Sequence, residues 1–84
     1  MKKVKLPLSK HCSMRRFNLL RKEDESNVSG VGVVAEGIEF SSGKVVMTWL
    51  SHHNAVNFYD SIKTVEEIHG HEGKTVVQWI DKHE

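Results

Sequence analysis

Phe58-Tyr-Asp-Ser-Ile-Lys-Thr-Val-Glu-Glu-Ile-His-Gly-His-Glu-Gly-Lys-Thr-Val-Val-Gln-Trp79 reads, in order, as a strand end, a short capped helix, a two-glycine turn and a closing strand. Ser61 and Thr64 are both candidate helix caps, and Thr64-Val-Glu-Glu67 fits a capping box, with the threonine oxygen taking an orphan N–H. Glu66 and Glu67 suit the positive end of the helix dipole, and Gly70 supplies a stop. Ile62, Val65 and Ile68, three apart, set one helical stripe toward a core. Lys74–Ile80 then alternates as a last strand, with Val77 and Trp79 on one side and Val76 and Ile80 on the other.

Upstream of this block the chain is strand and turn. Arg15–Lys22 has the apolar content of a first strand, and Ser26-Asn-Val-Ser-Gly30 is turn chemistry. Val31–Phe40 is rich in β-formers, with Gly32 and Gly37 as expected bulge or bend positions. Ser41-Ser-Gly43 predicts a three-residue hairpin loop closed by Gly43 in the left-handed region. Lys44–Leu50 alternates Val45, Met47 and Trp49 against Lys44, Val46 and Thr48. A three-residue loop sets Phe40 opposite Lys44, which conflicts with burying Phe40 beside Val45 unless Gly37 introduces a bulge. Ala55–Tyr59 is a fourth strand with Val56 and Phe58 on one side.

The resulting class is mainly β with one short helix before the last strand. Two architectures fit: a five-stranded SH3-like small barrel, the favoured one, or a strongly curled antiparallel sheet with the helix packed on one face. At 84 residues the chain makes one small domain over 15–84, preceded by a flexible basic arm over 1–14 that contains Pro7 and has no period. The single cysteine, Cys12, excludes an internal disulfide and points to a reducing compartment. No leader-like or membrane-spanning apolar run is visible, so a soluble, cytoplasmic protein without membrane partners is expected.

From Phe17 onward the chain resembles a family of small phage and prophage, actinobacterial and haloarchaeal proteins. The likeness is carried by Phe17, Leu19, the run Val28–Phe40, Gly43 and Trp49. It continues through Tyr59-Asp-Ser-Ile62, Val65-Glu66, Ile68-His-Gly-His71, Gly73-Lys-Thr75 and Trp79. It implies a phage-related accessory role and assigns no catalytic function to any residue. Residues 1–16 lie outside it.

Chemistry-bearing patterns are few. Six histidines invite a metal reading, with His69, His71 and His52 as candidate ligands and Glu72 in support, but their spacing matches no closed zinc site. The plainer reading places His69 at the negative end of the helix and His71 in the following turn. Gly70-His-Glu-Gly-Lys-Thr75 ends like a phosphate loop, yet it opens a strand where a phosphate loop opens a helix. Ser61 is better explained as a cap than as a nucleophile. Glu36 and Glu39, three apart on a strand, point to opposite faces and cannot share a substrate. Phe58, Tyr59, Trp49 and Trp79 are assigned to core packing. Neither an enzyme nor a cofactor site is therefore expected.

Charge is unevenly spread. Residues 1–22 hold eight Lys/Arg and no acid, whereas residues 23–84 hold four basic and eleven acidic residues. The favoured expectation is a non-enzymatic binding module whose partner is a host protein or one encoded alongside it. Such a partner is held on the outer sheet face or by strand addition at an edge. The alternative is a small nucleic-acid-binding barrel steered by its basic arm, through Lys2, Lys3, Lys5, Arg15, Arg16 and Arg21.

Overall fold

The computed structural model describes residues 14–23, 31–51 and 53–81. Five strands form one antiparallel sheet: β1 (Arg15–Arg21), β2 (Gly32–Glu39), β3 (Val45–Trp49), β4 (Val56–Tyr59) and β5 (Thr75–Trp79). Helix α1 (Ile62–His69) and a single 3-10 turn over His71–Gly73 connect β4 to β5. The order across the sheet is β4-β3-β2-β1-β5, so a four-strand meander is completed by a crossover that returns the chain beside β1. The edge strands β4 and β5 do not pair with each other, and the sheet stays open. Of the two architectures compatible with the sequence, the barrel is corrected to the open sheet with a helix on one face. Only one pair of strands more would close it, and β4, four residues long, offers little to pair with.

Register explains the core. Phe17 lies beside Gly37 on β2 and Trp79 on β5, and Leu19 lies beside Ala35 and Val77. These positions share the inner face with Val45, Met47 and Trp49, and Val65 of α1 lands on them. Phe17, Leu19, Ala35, Val45, Met47 and Val65 are essentially solvent-free. Each such large side chain contributes on the order of 1.5–3 kcal/mol on burial, and Trp79 seals the open end by meeting the Phe17 ring edge-on at 5.5 Å.

Gly37 is not a bulge. The pairing of Phe17 with Gly37 and of Asn18 with Glu36 is regular, and the register instead shifts between Leu19 and Leu20, next to Val34. Gly37 is required for space: a Cβ there would stand 2.5 Å from Phe17 Cζ and 2.7 Å from the Val46 carbonyl oxygen. The β2–β3 hairpin has the three-residue loop read from the sequence, with Gly43 at φ 92° and the Phe40 amide donating to the Lys44 carbonyl. Phe40 does stand opposite Lys44, and it is left exposed rather than moved inward.

The helix also differs in detail. Ser61 is the cap, its Oγ accepting from the Thr64 amide at 3.2 Å, so Thr64 sits inside the first turn and neither glutamate lies in that turn. The buried stripe is Ile62 and Val65 with His69 one turn on, while Ile68 is 55% exposed. Gly70 ends the helix in ordinary right-handed geometry, and the reversal is made by Glu72 at φ 57° and Gly73 at φ 89°.

A candidate interaction surface

The two faces of the sheet differ in what covers them. The inner face carries the helix. The outer face presents Arg16, Asn18 and Leu20 from β1, and Val33, Glu36 and Ile38 from β2. β3 adds Val46 and Thr48, and β4 adds Val56 and Phe58. A solvated sheet face is expected to be polar at these alternate positions. Here the row is largely apolar, and Phe58 is 77% and Val56 54% exposed. Phe58, assigned to the core from sequence, is thus a surface residue. Its neighbour Tyr59 turns inward instead.

An open groove of about 570 Å³ runs over this face, lined by Arg16, Glu36, Ile38, Val46, Val56 and Ile80. At its margin Arg16 is tied to Asp81 by two side-chain bonds, Nε to Oδ2 at 2.9 Å and Nη2 to Oδ1 at 2.8 Å. The Arg16 amide also donates to Oδ2 at 2.8 Å. Together these hold the Asp81 carboxyl down at about 2, the guanidinium hydrogen bond being the largest cause. The Arg16 side chain still keeps 63% of its surface open. Among the described residues no hydrogen bond or ion pair engages Glu36.

The arginines read as nucleic-acid candidates do not form one patch. Arg15 and Arg21 lie on the inner side of β1 and Arg16 on the outer. Arg15 donates to Glu39 Oε1 from Nη2 at 3.0 Å and rests 3.5 Å over the Trp79 ring, both groups largely buried. Glu36 and Glu39 do point to opposite faces, as their spacing requires. Lys2, Lys3 and Lys5 lie outside the described residues, as does His52. His69 sits between aromatic partners: its Nε2 is 2.9 Å from the Tyr59 hydroxyl and its ring stands edge-on to Trp49 at 5.1 Å. Burial raises the Tyr59 hydroxyl above its ordinary range. His71 belongs to the 3-10 turn. Among the described residues no group of three or more His, Cys, Asp or Glu side chains is placed to hold a metal ion.

No sequence motif marked the outer face, because its residues are scattered over five strands. Alternation alone paired Val56 with Phe58, and Val76 with Ile80. No described helix is long and apolar enough to cross a membrane. Neither a curated protein nor a solved structure matches the chain. A family model does, over residues 14–81, which takes in the whole sheet, the helix and Asp81 and leaves the basic arm outside. The chain belongs to the Acb5 phage protein family.

Proposed function

We propose that this phage protein is a non-enzymatic binding module that acts by holding another protein against the outer face of its sheet. The observation that carries the reading is Phe58, an aromatic side chain left 77% exposed beside Val56 on a face that no other described residue covers. Apolar surface is costly to leave in water, and contiguous patches of this kind mark interaction sites. Aromatic anchors on such patches are also the residues that dominate interface energetics.

The test is capture from lysate of phage-infected host cells, with the immobilised protein compared against Phe58→Lys. Retention of a protein by the wild type, lost in the variant, supports the reading. Equal retention by both sinks it. The nucleic-acid alternative rests on Lys2, Lys3, Lys5, Arg16 and Arg21, with Arg15 already committed to Glu39. It demands affinity that falls nearly one log unit per log of salt for each phosphate engaged.

A further inference from the structure

We infer that the partner seated on the outer face is a second copy of this chain, so that two sheets pack face to face with their helices outermost. The inference rests on the protein-binding reading above and names its occupant. Any partner covering this face must answer two charged groups set among apolar side chains. Arg16 pairs with Ile38, and Glu36 pairs with Asn18, so the two residues occupy diagonal positions about 7–8 Å apart in the sheet and rise from one surface, Glu36 with no partner among the described residues. Burying Glu36 without an opposite charge is strongly unfavourable, while Arg16, whose charge Asp81 already answers along one edge, keeps its other edge open to a carboxylate. A two-fold axis in the plane of contact, passing midway between them, lays each guanidinium on the other copy's carboxylate. One operation therefore satisfies both charges twice, which is the self-complementarity that an isologous contact requires.

Arg16 is equipped for this. Asp81 takes Nε and Nη2, and the rest of the guanidinium remains open on the face. Asp81 also fixes the rotamer, so little freedom is lost when the second carboxylate arrives. Around the charge pair, Ile38, Val46, Val56, Phe58 and Ile80 supply the apolar contact.

Size fits a modest dimer. Five strands about 4.8 Å apart, with some five residues each at about 3.3 Å, make a face on the order of 400 Å² in projection. Side-chain relief raises the accessible area above that figure, placing the pair at the small end of specific interfaces, near ~1,200 Å² in total. Association is thus expected at micromolar rather than nanomolar protein.

Sedimentation equilibrium of the full chain from about 10 to 300 µM tests this range. A dimer is expected, and Phe58→Lys, Glu36→Arg and Arg16→Glu should each weaken it at least about tenfold while circular dichroism shows a folded β protein. Mixing Glu36→Arg with Arg16→Glu should restore the dimer, because the mixed pair sets two cations against two carboxylates. A chain that stays monomeric at the highest concentration overturns the inference. So does a dimer indifferent to Phe58→Lys and Glu36→Arg, which would mean pairing through an edge strand, and so does a mixture of folded charge variants that fails to associate. If Arg16→Glu does not fold, Phe58→Lys and Glu36→Arg carry the same decision. A monomer that still captures another protein through Phe58 removes the second copy and leaves the binding reading standing.

Discussion

Gly37 and Phe17 show how one missing carbon shapes this protein. The Phe17 ring occupies the space where a Gly37 Cβ would stand, on the inner face beside its cross-strand partner. Both atoms that a Cβ would meet are fixed, one a ring buried on every side and the other the Val46 carbonyl in the sheet. Gly37→Ala should therefore destabilise by about 1–3 kcal/mol, the range for overpacking a close-packed core, measured as a shift in the urea midpoint. Trp79 acts from the other side of the same ring. It stacks under Arg15 and meets Phe17 edge-on, so Trp79→Ala should cost about 3 kcal/mol in the same measurement. The sequence marks Gly37 as special but not why. A lone glycine in a strand reads as a bulge, and only the cross-strand partner reveals that it is there to make room.

At the scale of elements, local rules place every strand and the helix within a residue or two. Hairpin chemistry is short-range, so Ser41-Ser-Gly43 specifies its own turn, and Phe40 opposite Lys44 follows directly. The helix start is equally local: Ser61 caps the Thr64 amide, and Ser61→Ala should cost about 1 kcal/mol. A thermal melt will separate that loss from Ile68→Ser, which removes an exposed side chain and should be nearly silent. What the pattern cannot supply is which side of a strand is covered. A period of two tells that Val56 and Phe58 share a face. It does not tell that the helix lies on the other one, because Tyr59 makes the opposite face of β4 apolar as well. The same ambiguity hid the outer face as a surface. Closure of the sheet was beyond local reading too, since it depends on whether the first and last edges meet across the whole molecule.

The whole molecule is fastened at its end by one ion pair joining residues 65 positions apart. Asp81 follows β5 directly, and its carboxylate takes the Arg16 amide and guanidinium while the Ile80 amide donates to the Arg16 carbonyl. That contact extends the β1–β5 ladder past its last paired strand residues and holds Arg16 facing the outer groove. Its strength depends on charge. The folded carboxyl titrates at about 2, below its ordinary 3.8. A depressed folded value means that the stabilisation is fully present above the ordinary carboxylate range and is lost as pH falls from about 4 through about 2. Asp81→Asn keeps the shape but removes the charge. Relative to the wild type, the variant should unfold more readily at neutral pH, with the gap closing below pH ~3 as the wild-type carboxyl takes up its proton. Chemical denaturation at a series of pH values measures that gap directly, and a difference that stays constant down to pH ~2 would remove the Arg16–Asp81 pair from the account of stability. The same variant releases Arg16 to swing off the face, so a dimer built on Arg16 and Glu36 should weaken together with the fold's acid resistance. A dimer untouched by Asp81→Asn would show that the rotamer of Arg16 is held by the interface itself rather than by the end of the chain.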